Sequence, residues 1–158
     1  MALVYCIYPM PFGLLTIGAS ERGVRRIVYG RHALAGTECP SALTNQAATE
    51  LQEYFAGRRR WFNTPLDLAG SAFQQEVWAE LARIPFGEVR TSAQVAQKIG
   101  KPSAYRSVGA AVKRAPVAIM VPDHRVVGGN GQPLGTGERA RIARGLLALE
   151  RRAMGHRP

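Results

Sequence analysis

The first thirty residues contain three short apolar runs separated by turn sequences, and this pattern restricts the fold more than any other feature. Turns at Pro9-Met10-Pro11 and Glu21-Arg22-Gly23 divide the stretch. The runs between them are Val4 to Tyr8, Leu14 to Ala19 and Val24 to Tyr29. Short β-prone runs joined by tight turns predict an antiparallel three-stranded meander. Residues 31–40 are interpreted as a loop.

From about residue 43 the apolar residues recur at helical spacing. One helix is predicted up to a stop at Gly57, with Ala47, Leu51, Tyr54 and Phe55 on one face. Two capping-box patterns, Ser71 with Gln74 and Thr91 with Gln94, predict the starts of two further helices. Residues 103–114 and 138–152 are predicted as the last two. In the first of these, Tyr105, Val108 and Val112 are expected to face a core.

Two of these helices are joined only by Gly100-Lys101-Pro102, a link typical of a helix-turn-helix. The predicted class is therefore α+β. A small N-terminal α/β domain over residues 1–70, with an antiparallel three-stranded sheet, is expected to have a structural role. A mainly helical, winged-helix-like domain over residues 71–158 carries the helix-turn-helix.

The stretch Val117 to Val127, VAIMVPDHRVV, combines an apolar run with a polar cluster. The run up to Val121 predicts a buried strand that stops at Pro122. Asp123, His124 and Arg125 follow at once, and polar residues at the end of a buried element are typical of a reactive site. A solvated turn after a strand explains the same pattern equally well.

Positive charge is concentrated in the second half of the chain. The net charge is +10, and six basic residues with no acidic residue lie between Glu88 and Asp123. A one-sided basic surface favours a polyanion such as nucleic acid. A basic protein without such a partner remains an alternative on charge alone.

No cofactor is expected. Cys6, His32 and Cys39 match no common zinc spacing, and a fourth ligand is missing. Two cysteines do not indicate a disulfide framework, and no apolar run approaches the ~20 residues of a membrane helix. A cytoplasmic protein without membrane attachment is the expectation, since Tyr5, Pro9 and Pro11 interrupt any secretory signal.

Several blocks together resemble the O6-alkylguanine-DNA alkyltransferase family. They occur in the family's order, and Pro122-Asp123-His124-Arg125-Val126 resembles its Pro-Cys-His-Arg-Val signature. The other blocks are Leu51-Gln-Glu-Tyr-Phe-Ala-Gly57, Phe73-Gln-Gln-Glu-Val-Trp78, Ile84-Pro-Phe-Gly-Glu-Val89 and Arg106-Ser-Val-Gly-Ala110.

The resemblance implies minor-groove binding to double-stranded DNA by a monomer, with the damaged guanine flipped out of the stack. It places Arg106 as the side chain that fills the gap. His124 and Glu150 match the residues that prepare the family's nucleophilic cysteine. Phosphate contacts are expected from Arg90, Lys101, Lys113 and Arg114, which predicts salt-dependent binding. Ser92, Tyr105 and Arg125 complete the expected DNA-binding set.

Asp123 stands where the family has its cysteine. Alkyl transfer to carbon favours a polarisable sulfur, whereas a carboxylate is a harder nucleophile. A partner for a buried Asp123 is expected in His124 or Arg125. Other pocket positions also depart from the family, among them Ser92 and Ala115 in place of a tyrosine and an asparagine. Arg139 interrupts a glycine pair, and Gly145 replaces a tryptophan. The expected lesion pocket comprises Val112, Ala115, Val126, Thr136 and Gly137 beside Asp123 and His124.

The leading hypothesis is a cysteine-less alkyltransferase-like protein that binds O6-alkylguanine in DNA without removing the alkyl group. Related cysteine-less proteins flag the lesion for excision repair, so excision-repair proteins are expected partners. Two alternatives remain open. One is an active transferase that uses Asp123 as the nucleophile, and the other is a degenerate member with generic DNA-binding or regulatory function.

Overall fold

The computed structural model describes residues 3–155 and contains two compact units. Unit 1 comprises Met1–Ala69 with Pro116–Ala118, and unit 2 comprises Gly70–Ala115 with Ile119–Pro158. Unit 1 is built on a sheet and unit 2 is mainly helical. The predicted α+β class is therefore confirmed.

In unit 1 the predicted meander is present and gains a fourth strand. Strands β1 (Val4–Met10), β2 (Gly13–Ala19) and β3 (Val24–Tyr29) pair antiparallel. Strand β4 (Thr37–Glu38) adds parallel to β1, which gives the order β3-β2-β1-β4. The prediction of a loop over residues 31–40 misses β4, because a two-residue strand is too short to show alternation.

Helix α1 (Ala42–Phe55) packs on β1 and β2 and begins at a capping box of Ser41 and Thr44. Its buried Glu50 accepts hydrogen bonds from the Asn63 and Thr64 amides and from the Thr64 hydroxyl. Burial alone raises the pKa of Glu50, but these hydrogen bonds hold it below its ordinary value. The carboxylate thus attaches the segment that follows α1 to the helix.

Unit 2 contains α2 (Ala72–Leu81), α3 (Ser92–Lys98), α4 (Tyr105–Lys113) and α5 (Gly137–Ala153). Strands β5 (Arg90–Thr91) and β6 (Val126–Val127) form a short parallel pair. Both predicted capping boxes, at Ser71 and Thr91, are present. The buried Trp78 indole donates a 2.9 Å hydrogen bond to the Ala111 carbonyl and so joins α2 to α4.

The helix-turn-helix is formed by α3 and α4, with a 3-10 turn over Pro102–Ala104 between them. Gly100 ends α3 at φ 76°, a left-handed conformation that glycine adopts without strain. Val108 and Val112 are buried as predicted, but Tyr105 is 45% exposed. The prediction that Tyr105 faces the core is wrong, because α4 begins at this residue and its ring lies outside, 5.8 Å from the Arg106 guanidinium.

The predicted strand over residues 117–121 is also wrong. Val117 pairs with Ile27 as an isolated bridge, and the chain then turns at Ile119, whose φ is 71°. The run is buried, as predicted, but its backbone pairs with β3 only through Pro116–Ala118. Periodicity cannot separate a buried strand from a buried irregular segment when the run is only five residues long.

Within residues 3–155 no helix is both long and apolar enough to cross a membrane. In the same residues no three His, Cys, Asp or Glu side chains are grouped so that they would hold a metal ion. Cys6 and Cys39, both in unit 1, are free thiols.

Candidate functional site

The polar cluster of the sequence forms a 3-10 turn, Asp123–Arg125, immediately before β6. The Asp123 amide donates to the Val121 carbonyl at 2.7 Å, and the Arg125 amide donates to Pro122 at 3.0 Å. This tight turn sends the three consecutive side chains to two different sets of contacts. His124 and Arg125 are buried against Glu150, whereas Asp123 lies beside Arg139.

Glu150 of α5 is the centre of the buried set. His124 Nε2 donates to Glu150 Oε2 at 2.6 Å. Arg125 makes a two-point contact, with Nε to Oε1 and Nη2 to Oε2, both at 3.0 Å. Charge-assisted pairs of this geometry are the stronger class of protein hydrogen bond.

The same carboxylate also holds the segment that follows α2. The Gly87 amide donates to Glu150 Oε1 at 3.0 Å, and Arg125 Nη1 donates to the Ile84 carbonyl at 2.8 Å. The Phe86 ring lies 5.7 Å from the Arg125 guanidinium. Three separate parts of unit 2 therefore meet at Glu150, which gives this residue a structural role.

The ionisation of this cluster follows from its contacts. Burial alone raises the pKa of Glu150, but hydrogen bonds and charge from His124 and Arg125 hold it far below its ordinary value. Because a carboxylate only accepts, Nε2 of His124 carries the proton in their hydrogen bond. His124 Nδ1 is buried and has no hydrogen-bond partner within residues 3–155. His124 and Glu150, which the sequence matched to two residues of the family's site, are thus in direct contact.

Asp123 is paired with a residue of the first turn of α5. Its Oδ2 accepts a 2.8 Å hydrogen bond from Arg139 Nη2, which also lies 3.4 Å from the Val112 carbonyl. The carboxylate is 12% exposed and the Arg139 side chain 34% exposed. Burial raises the pKa of Asp123, and the positive charge of Arg139 opposes that rise. The expectation of His124 or Arg125 as its partner is wrong, since both are bonded to Glu150.

Arg139 is the residue of this site whose contact sequence reasoning missed. Its only signal was the interruption of a glycine pair, which does not indicate a partner. In the structure the aliphatic part of Arg139 lies against Gly135, where a Cβ would come within 3.2 Å of Arg139 Cδ. The absence of a side chain at residue 135 lets Arg139 extend along the loop toward Asp123.

The expected pocket residues differ in their positions. Val112 and Val126 are buried, and the Val112 carbonyl faces Arg139. Ala115 is half-buried. Thr136 and Gly137 are exposed at the start of α5, where Gly137 has φ 65°. Among the expected pocket residues Val112, Ala115, Val126, Thr136 and Gly137, only Val112 shares a hydrogen-bond partner, Arg139, with Asp123.

Part of the expected DNA-binding set lies around a groove along α4. The groove, about 410 Å³ in volume, is lined by Arg106, Lys113 and Arg114 together with small or apolar residues. Those are Gly109, Ala110 and Leu134. All three basic residues are exposed. Leu134 is a lining residue that charge and motif reasoning did not identify.

The other basic residues of the set are already paired. Arg90 Nη2 contacts Glu88 at 3.0 Å, and Lys101 Nζ contacts Glu76 at 2.9 Å. Surface pairs of this kind are weak and exchange readily for other anions. Ser92 lies opposite Gly109, with its Oγ 3.6 Å from the point that a Cβ on residue 109 would occupy, and thus in the packing of α3 on α4.

Arg125 does not belong to the surface set. The sequence places it among the DNA-contacting residues, but the structure buries it, with three nitrogen atoms bonded to Glu150 and Ile84. Its guanidinium cannot reach a phosphate without breaking its two-point contact with Glu150. We therefore assign Arg125 to the core of unit 2.

Comparison with protein families matches both units. Residues 3–68 match the ribonuclease-like domain of the 6-O-methylguanine DNA methyltransferases, and residues 72–152 match their DNA-binding domain. Among curated proteins, the constitutive methylated-DNA--protein-cysteine methyltransferase of Bacillus subtilis is 48% identical over 156 residues, covering 93% of this chain and 94% of its own. The corresponding enzyme of Mycolicibacterium paratuberculosis is 41% identical, covering 90% and 88%.

Solved structures agree with these matches. The O6-methylguanine methyltransferase of Mycobacterium tuberculosis superposes with a TM-score of 0.88 at 35% identity, covering 99% of this chain and 95% of its own. The M. tuberculosis OGT in complex with DNA gives 0.86 at 37% identity, covering 95% and 94%. The chain therefore belongs to the 6-O-methylguanine DNA methyltransferase family, with an aspartate in place of the cysteine of the family's signature.

Proposed function

We propose that the protein binds double-stranded DNA and recognises guanine alkylated at O6 without accepting the alkyl group. The observation that carries the proposal is the Asp123–Arg139 pair, which stands at the position of the family's nucleophile. In this proposal the protein only binds the lesion. It flips the alkylated base out of the stack, and excision-repair proteins then act on the complex.

The Asp123–Arg139 pair makes residue 123 a poor acceptor of an alkyl group. One carboxylate oxygen is held at 2.8 Å by Arg139, so its lone pair is engaged and its charge is balanced. Nucleophiles that displace at carbon are activated by an adjacent base or by a lowered pKa. Burial instead raises the pKa of Asp123. The two thiols of the chain, Cys6 and Cys39, both belong to unit 1.

The DNA-binding half of the proposal is supported by α4. Three exposed basic residues line its groove, and a family member with 37% identity was crystallised with DNA. The Arg106 guanidinium lies 5.8 Å from the centre of the Tyr105 ring, at the start of the helix. The side chain is exposed and is therefore able to enter a base stack. Lys113 and Arg114 at the other end are suited to phosphate contacts.

The function is tested with two matched duplexes, one carrying a single O6-methylguanine and one carrying guanine, at near-physiological salt. We expect binding to the lesion to be tighter by about tenfold or more, which is about 1.4 kcal/mol. Mass spectrometry of the protein and analysis for released methanol accompany the titration, and neither should detect transfer. Equal affinity for both duplexes would instead indicate generic DNA binding, and a methylated protein or free methanol would indicate that Asp123 is a nucleophile.

Replacing Arg106 by Ala is expected to weaken lesion binding by more than about tenfold, because a flipped base leaves an unfilled gap in the stack. The free energy of unfolding should change by less than about 0.5 kcal/mol, since the side chain is exposed. Binding isotherms and urea denaturation measure the two effects. Arg83→Ala, which also removes an exposed arginine in unit 2, is the matched control and should bind as the wild type. An Arg106→Ala variant with unchanged affinity would remove this residue from the mechanism.

A further inference from the structure

The segment that follows α1 in unit 1 presents an exposed indole directly after three arginines. Trp61 is 69% exposed, more than any other large hydrophobic side chain within residues 3–155. It follows Arg58, Arg59 and Arg60 directly in the sequence. An indole combines a large apolar plane with a polar N–H, and tryptophan is enriched at interfaces for this reason.

The indole is presented by a fixed backbone. Arg59 Nη1 donates to the Trp61 carbonyl at 3.1 Å, while Arg59 Nε binds Glu53 of α1 at 2.9 Å. The next residue, Phe62, turns inward, and its ring centroid lies 5.6 Å from that of Tyr54. The Asn63 amide is held by Glu50 at 2.9 Å. Because the segment is anchored on both sides of Trp61, little conformational entropy remains to be lost on binding.

Three consecutive arginines, Arg58 to Arg60, precede Trp61. Arg59 contacts Glu53 of α1, and Arg58 and Arg60 are exposed cationic side chains on either side of it. Together with Gly57, Trp61 and Asn63 these arginines line a groove of about 380 Å³. A concave surface with an exposed aromatic plane and excess positive charge suits a ligand with planar groups and regularly spaced negative charges.

We propose that this groove is a second nucleic-acid site, which binds single-stranded DNA with a base stacked on Trp61 and phosphates neutralised by Arg58 and Arg60. Stacking on an indole accepts any base, so the site has no strong sequence preference. An acidic peptide satisfies the arginines but offers no planar partner for the indole, which favours nucleic acid over a protein ligand. The site belongs to unit 1 and is separate from the groove along α4 in unit 2.

Tryptophan fluorescence of the full chain tests the proposal directly. The chain has two tryptophans, and Trp78 is 2% exposed with its indole bonded to Ala111, so a surface ligand acts on the emission of Trp61. Titration with a single-stranded thymidine octanucleotide should quench this emission, and added salt should reverse the quenching. An octaglutamate peptide that quenches to the same extent at the same concentration would overturn the assignment to nucleic acid.

Variants then identify the residues. By anisotropy of a labelled octanucleotide, Trp61→Ala should bind at least about tenfold more weakly. The double variant Arg58→Glu with Arg60→Glu should bind weakly and lose most of its salt dependence. Arg26→Glu, a change at another exposed arginine of unit 1, is the control and should retain the larger part of the affinity. Wild-type binding by Trp61→Ala would overturn the proposal. Discrimination between lesion and plain duplex should be unchanged in Trp61→Ala, which separates this test from that of the α4 groove.

Discussion

Replacing Glu150 by Ala is expected to lower the free energy of unfolding by about 3–5 kcal/mol. The change leaves the Arg125 guanidinium buried without its counterion, and it removes the hydrogen-bond acceptor of His124 and of the Gly87 amide. Folded domains are stable by only about 5–15 kcal/mol, so much of the protein's stability is at risk. Urea denaturation followed by circular dichroism measures the loss.

Glu138→Ala is the matched control for this prediction. Glu138 lies on the same helix, is 74% exposed and pairs with Arg141 at 3.2 Å. An exposed pair of this kind contributes less than about 1 kcal/mol, so the control should be close to the wild type. If Glu150→Ala lost no more stability than Glu138→Ala, the buried cluster would not be the structural centre of unit 2.

The same cluster predicts an acid limb in the stability profile. The folded-state pKa of Glu150 is depressed, so the ionised carboxylate stabilises the fold at pH values above its ordinary pKa of 4.5. That contribution is lost progressively as the pH falls below this value toward the lower folded-state pKa. Glu150→Gln should therefore show a flatter loss of stability between about pH 5 and pH 3 than the wild type. Parallel curves for the two proteins would contradict the depressed pKa.

Elements determined by local physics were predictable from the sequence. The meander, the helices and the capping boxes at Ser71 and Thr91 depend on residues within a few positions of each other. Three other features were not predictable, because they do not depend on the local sequence pattern alone. Strand β4 forms only because β1 offers an edge for pairing. Tyr105 is exposed because α4 begins at this residue. The run before Pro122 is not a strand, because only Pro116–Ala118 pairs with β3.

The site was only partly predictable, because its ion pairs join residues distant in the sequence. Asp123 and Arg139 are 16 positions apart, and Arg125 and Glu150 are 25 apart. Family resemblance supplied His124 and Glu150, but Arg125 was expected at the DNA surface. Its burial is decided by Glu150, whose two oxygen atoms match the guanidinium fork. No local pattern encodes such a match, and the role of Arg139 follows only from the fold.

Asp123→Cys is expected to convert the protein from one with no detectable alkyl transfer to one that accepts a single methyl group from O6-methylguanine in DNA. The change supplies a polarisable sulfur beside the intact His124–Glu150 pair, which lies at 2.6 Å. Arg139, released from its carboxylate, adds positive charge near the thiol and so favours the thiolate. The readout is a mass increase of one methyl group on the peptide containing residue 123.

The controls separate the nucleophile from the rest of the pocket. Asp123→Ala removes the carboxylate without adding sulfur and should remain unmethylated, as should the wild type. Asp123→Cys with Arg139→Ala tests whether the arginine obstructs the base, since its side chain lies at residue 123 in the structure. If the double variant reacts and the single variant does not, Arg139 closes the pocket to the alkyl group. If both bind the lesion duplex but neither is methylated, the altered positions at Ser92 and Ala115 are the next candidates for holding the base away from residue 123. In that outcome, the shape of the pocket would prevent transfer even where a thiol is present.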